Sequence, residues 1–293
     1  AGLRVQLAQA QAPAFRSGSD TIPFFLSDHN NILVPVIFNE QDTLRLMFHS
    51  SFTGVSVTED GLKRCTTLRA IEEGVAHSWG GDAKSGVSRN NTLRIGRQVW
   101  DSLLVTIDEQ SGHGSDGKFG WDLFADHVLE IDYDRNDLIT RTTLPEMHDG
   151  AIMLPFEERG GSLYVQATAM LGDSSFTDRF MFHTGYGGTC ILGTGFMGRF
   201  GADLQLDTLG TKKLSDSFGN VLMNVTTLTP ALTFAGHSFK DLRIQVMDRR
   251  SHFEDSVLGN DLLRRFNAVI DFHGHQLYMT PNKAMGAAFS GQF

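Results

Sequence analysis

Two histidines carry the clearest chemical signal in the chain. His49 ends the apolar-rich run Leu44-Arg45-Leu46-Met47-Phe48, and His183 ends Arg179-Phe180-Met181-Phe182; each is followed by a hydroxyl residue, Ser50 or Thr184. Free imidazole titrates near ~6.5, so it can take or give a proton close to neutrality, and it is also a common metal ligand. Two imidazoles brought close together oppose double protonation, because charging one ring disfavours charging the other. Such a pair could share a proton, one ring accepting while the other donates, under weakly acidic to neutral conditions. The inert alternative is that each His fills its position by packing and one hydrogen bond. The same residue type at two matching places argues for the working pair.

The surrounding elements repeat. Phe48-His49 and Phe182-His183 lie 134 positions apart, while Phe119-Gly120 after Lys118 is echoed by Leu258-Gly259 after Val257, and Ile131-Asp132 by Ile270-Asp271, both at 139. Landmarks in one order at nearly one spacing imply a duplicated unit. Each copy reads as short strands rich in β-branched and aromatic residues, with a Gly-rich or polar reversal after the His. A projecting hairpin is predicted over Val75 to Arg94, and a second within Leu206 to Leu222. Short helices are predicted over Thr58 to Arg64, Trp121 to His127, Gly195 to Phe200 and Asp261 to Phe266. Asp132 and Asp271 are expected to bond the turns that follow them, and His273 and His275 to sit exposed at a turn. The expected class is mainly β, in two duplicated lobes over residues 21–147 and 148–293 that divide near Leu144 to Gly150.

This order of strand, turn tripeptide, strand, projecting hairpin, apolar-Gly segment and closing hairpin, met twice, resembles the pepsin-like and retropepsin-like aspartic proteases, and in particular the bacterial aspartyl protease family proteins. The resemblance runs from Ile22 to Pro281. It implies a bilobal fold with a central cleft, a peptide or polypeptide substrate, and the two tripeptides meeting at the floor of the cleft. Here those tripeptides are His49-Ser50-Ser51 and His183-Thr184-Gly185, so both acids of the family are replaced. By the resemblance, His49 and His183 take the catalytic positions, Ser50 and Thr184 cross-brace the turns, and Trp79, with His77 beside it on the hairpin, covers a bound substrate. Peptide hydrolysis is the simplest activity. Epimerisation of a residue within a peptide, and peptide binding without turnover, are the alternatives.

No cofactor is required by this reading. Zinc or copper on the His pair would need a third protein ligand, for which His77 and His113 are the candidates, though neither lies in a metal-binding spacing. The formal charge of -9 disfavours nucleic acid and anionic membrane surfaces, and no run has the length and apolarity of a membrane span. Cys65 and Cys190 are expected to be free buried thiols. Residues 1–20 read as a flexible leader or signal remnant, because Leu7-Ala8-Gln9-Ala10-Gln11-Ala12 resembles the small-residue end of a secretory signal. A periplasmic or secreted monomer is therefore expected.

Overall fold

Runs of β-branched and aromatic residues broken by Gly and polar turns favour strands, and in the computed structural model the chain is mainly β. The structure describes residues 19–68, 71–78, 81–201, 206–248 and 251–290. Of the expected leader over 1–20, only its last two residues are among these, and Asp20 already belongs to a strand, Asp20–Pro23.

Two eight-stranded sheets share one topology. In spatial order the first holds Phe25–Leu26, Ile32–Phe38, Asp42–His49, Gly117–Gly120, Val55–Thr58, Gln98–Asp108, Gly81–Ile95 and Ile71–Ser78. The second holds Glu157–Arg159, Ser162–Leu171, Ser174–His183, Ser256–Gly259, Cys190–Leu192, His237–Met247, Val221–Phe234 and Gly210–Ser215. Each sheet also curls back on itself, through Ile32–Phe38 against Gly81–Ile95 and Ser162–Leu171 against Val221–Phe234. A six-stranded sheet joins the halves, with Val128–Asp132 antiparallel to Phe266–Asp271 at its centre.

The placement of the two histidines follows from one device used twice. A short strand slides between the strand that ends in His and the strand that returns from the turn, parallel to the first and antiparallel to the second. That insertion leaves no room for a side chain at its end. A Cβ on Gly120 would lie 2.2 Å from the Phe52 carbonyl oxygen, and one on Gly259 2.1 Å from that of Gly188. In register, His49 stands opposite Gly120 and His183 opposite Gly259. Phe48 and Phe182, each preceding its His, are buried and anchor the strand ends. Burying a side chain of this size stabilises by about 1.5–3 kcal/mol.

Several expected elements take a different length. The helix predicted over Trp121 to His127 is a single 3-10 turn, Trp121–Phe124, and the one predicted over Asp261 to Phe266 spans only Asn260–Leu263. In each copy a short turn, residues 125–127 or 264–265, replaces the rest of the expected helix before the next strand. The helix predicted over Thr58 to Arg64 is the four-residue Glu59–Leu62, with the Thr58 hydroxyl accepting from the Gly61 N–H. The second hairpin begins at Gly210 rather than Leu206 and extends to Phe234. Asp132 accepts from the N–H groups of Asp134 and Arg135, and Asp271 from that of Gly274. Both cysteines are free and buried, and His273 and His275 are exposed.

Asp122, in the 3-10 turn, ties that turn to the His49 loop by accepting from the Gly54 N–H at 2.9 Å and 3.0 Å. Burial pushes its carboxyl up to about 6. Because the folded value exceeds the unfolded one, the stabilising contribution is full below about 4 and is lost as pH rises through about 6. We predict that Asp122→Asn flattens this dependence and gains on the order of 1 kcal/mol at pH 7 relative to pH 4.5. Urea unfolding at the two pH values measures it, and parallel pH responses of wild type and variant would contradict it.

Candidate functional site

The two turns grip each other through their hydroxyl residues. The Ser50 N–H donates to Thr184 Oγ1 at 3.0 Å, and the Thr184 N–H donates to Ser50 Oγ at 3.0 Å. Each hydroxyl in turn donates to the opposite strand, Ser50 to the Phe182 carbonyl at 2.6 Å and Thr184 to the Phe48 carbonyl at 3.0 Å. Ser50 and Thr184 are wholly buried. The consequence one residue upstream is that the His49 and His183 rings meet, with centroids 4.5 Å apart and planes inclined at 57°.

The rings are not related by perfect symmetry. His49 leans over the opposite turn, where a Cβ on Gly185 would come within 2.3 Å of its Cδ2. Ser51, the counterpart of Gly185, fits without a left-handed backbone and sends its hydroxyl to the Phe182 carbonyl at 3.2 Å. Each ring also receives a backbone donor at Nδ1, from Ser51 N–H to His49 at 3.2 Å and from Tyr186 N–H to His183 at 2.9 Å. An Nδ1 that accepts carries no proton, so each neutral ring holds its proton at Nε2.

Both rings retain some solvent-accessible surface, yet both lie deep enough to resist charging. Burial is the main cause for His49, assisted by the neighbouring His183 and by Lys118, and it holds that ring well below the ordinary imidazole range. Burial, with Lys118 adding to it, brings His183 down to about 4. The pair is therefore neutral at neutral pH.

Lys118 gave no functional signal as a motif member, standing in the segment echoed by Val257-Leu258-Gly259. It is nevertheless a buried ammonium, paired with Asp108 at 2.9 Å and set 4.7 Å from the centroid of the Phe52 ring. The signal that could have revealed it is the asymmetry of the duplication, a lysine where the second copy has valine. Asn30 and Asn31 support the second turn, donating to the carbonyls of Gly187 at 2.9 Å and Gly185 at 3.0 Å.

Of the other sequence candidates, Trp79 and the His77 side chain lie outside the described residues. His113 is turned onto His29, ring on ring at 3.7 Å, and is therefore not brought forward as a third ligand of the pair. No group of three or more His, Cys, Asp or Glu among the described residues is arranged to hold a metal ion. The tautomers also weigh against ligation through Nε2. A metal-bound imidazole donates its other N–H to an acceptor, whereas both Nδ1 atoms here face donors. No helix among the described residues is long and apolar enough to cross a membrane.

No protein-family model matches the chain, and no curated protein matches it.

Two outcomes follow from this geometry. Ser50→Ala leaves the buried Thr184 N–H without its acceptor and removes a bond to Phe182, so it should cost roughly 2–3 kcal/mol in urea unfolding; a loss below 0.5 kcal/mol, as for a surface change, would contradict the brace. The histidines impose a separate pH dependence. Their folded affinities for protons are lower than in the unfolded chain, so stability is full above about 6.5 and declines as pH falls below it, for His183 down to about 4. The double variant His49→Gln/His183→Gln should therefore lose less stability than wild type between pH 7 and pH 5. Equal losses would show that the rings are not held neutral.

Proposed function

We propose that this chain is a peptide-acting acid-base hydrolase, most simply a peptidase, with the bilobal architecture of the pepsin-like aspartic proteases and the His49–His183 pair at the floor of the cleft between its lobes. The observation that carries the reading is the 4.5 Å approach of two neutral imidazoles, fixed by reciprocal bonds between the turns that bear them.

The asymmetry of the two Nδ1 contacts suggests the roles. A base needs a lone pair at Nε2, and so must move its proton to Nδ1 and give up a backbone donor. That exchange costs less for His49, whose contact is the longer at 3.2 Å, than for His183 at 2.9 Å. His49 is then the base that takes a proton from the attacking water as its oxygen bonds to the carbonyl carbon. His183 keeps its Nε2–H and donates it as a hydrogen bond to the carbonyl oxygen, where negative charge develops. A neutral imidazole held below its usual titration range serves well as such an electrophile. As the C–N bond breaks, the His49 imidazolium returns the proton to the leaving amine, so one water is consumed and no cofactor is called for.

Epimerisation of a residue within a peptide, one imidazole taking the α-proton and the other returning one on the opposite face, is the second reading and uses the same pair.

Incubation with a diverse peptide pool, read by mass and by chirality, tests the proposal. Cleavage with addition of water is expected, and His49→Gln or His183→Gln should lower kcat/KM by about 100-fold or more. The rate should fall in acid with a midpoint below about 6.5, as His49 becomes protonated, and stay level toward neutrality. Unchanged peptide mass with inverted residues would favour epimerisation, peptide retention without turnover would favour a binding protein, and a rate maximal only in strong acid would overturn the assigned roles.

A further inference from the structure

Burying a lysine costs several kcal/mol unless its charge is compensated, and Lys118 is compensated from three directions. Asp108, on the Gln98–Asp108 strand, lies 2.9 Å away and is itself held by the Ser56 hydroxyl at 2.7 Å. The Phe52 ring offers its π face at 4.7 Å. The third partner is the Ser217 hydroxyl, at the tip of the hairpin formed by Gly210–Ser215 and Val221–Phe234 in the other half of the molecule. That tip is docked firmly. The Ser217 carbonyl accepts from the N–H groups of Glu109 at 2.9 Å and Gln110 at 3.1 Å, and Gln110 Nε2 donates to the Asp216 carbonyl at 2.6 Å. Asp216 shapes the tip by accepting from the N–H groups of Phe218 and Asn220.

The lysine also connects to the histidines. It sits on Gly117–Gly120, the strand inserted beside the one that ends in His49, and its partner Phe52 meets the His49 ring edge-on at 6.0 Å. We propose that Lys118 is a positioning residue that, beyond burial, helps keep the His49–His183 pair uncharged, and that the hairpin of the other half holds it in place through Ser217. The consequence is that docking of the hairpin and readiness of the pair for chemistry are coupled. The ionisable groups that this ammonium acts on are Asp108, its ion-pair partner, and His49 and His183, whose protonation it opposes. Asp122 reaches the same loop through Gly54. The role of the pair rests on the hydrolase reading, but its charge state does not.

Histidine titration by NMR on the full chain, with both rings assigned, tests this without requiring turnover. Lys118→Met should raise the midpoints of His49 and His183 by half a unit or more, about a threefold gain in proton affinity. Lys118→Arg, which keeps the charge, should restore values near wild type. Ser217→Ala, which removes only the hairpin hydroxyl, should shift both midpoints in the same direction by a smaller amount. Unmoved midpoints in folded Lys118→Met, or equal shifts in the Met and Arg variants, overturn the electrostatic role. Unmoved midpoints in Ser217→Ala overturn the coupling, and this variant decides the matter if Lys118→Met does not fold. Shifted midpoints in a protein that cleaves no peptide would count against the hydrolase and leave the coupling standing.

Discussion

The reciprocal bond between Ser50 and Thr184 is the constraint on which the remainder of the site depends. Each residue uses its backbone N–H toward the other's hydroxyl and its own hydroxyl toward the strand behind the other's histidine. Four buried hydrogen bonds thus leave neither turn able to move alone, because a lone shift would strand donors and acceptors away from water. The histidines need no direct bond to stay together. They are carried on backbone that the brace has already fixed.

Around this near-symmetric brace the chemistry is asymmetric, and the asymmetry comes from a few substitutions between the copies. Gly185 gives way to the His49 ring, while Ser51 adds a hydroxyl to the opposite turn. Lys118 stands where the other copy has Val257, and its charge opposes protonation of both rings. Two side chains of the same type consequently receive different donors and different neighbours. On the proposed reading, this difference is what would assign the base and the hydrogen-bond donor to particular rings.

The central sheet and the second hairpin show how the halves are kept in register. Val128–Asp132 against Phe266–Asp271 joins them through backbone, and Tyr133, Asn260 and Asn30 join them through side chains, with the Tyr133 hydroxyl donating to Asn260 at 2.6 Å and Asn260 donating to the Asn30 carbonyl. The hairpin tip adds a link at the far side, through Ser217 to Glu109 and Gln110. The halves are thus fastened both at the central sheet and at the hairpin tip.

The sequence by itself determined the strand-rich class, the repetition of the unit, and the two histidines with their neighbouring hydroxyls, because propensity, turn chemistry and spacing are local or periodic properties that survive in a string of letters. It also marked Asp132 and Asp271 as turn anchors, for the same reason. It could not supply the lengths of the short helices, nor the orientation of His113 toward His29, which depends on a contact between distant segments. Only the tertiary structure decided the 4.5 Å approach of the rings, the tautomer each holds, and the place of Lys118, whose Ser217 partner lies 99 residues along the chain. These are matters of desolvation and of contacts between distant segments, and a charge acquires its effect on another group only when folding has removed the water between them.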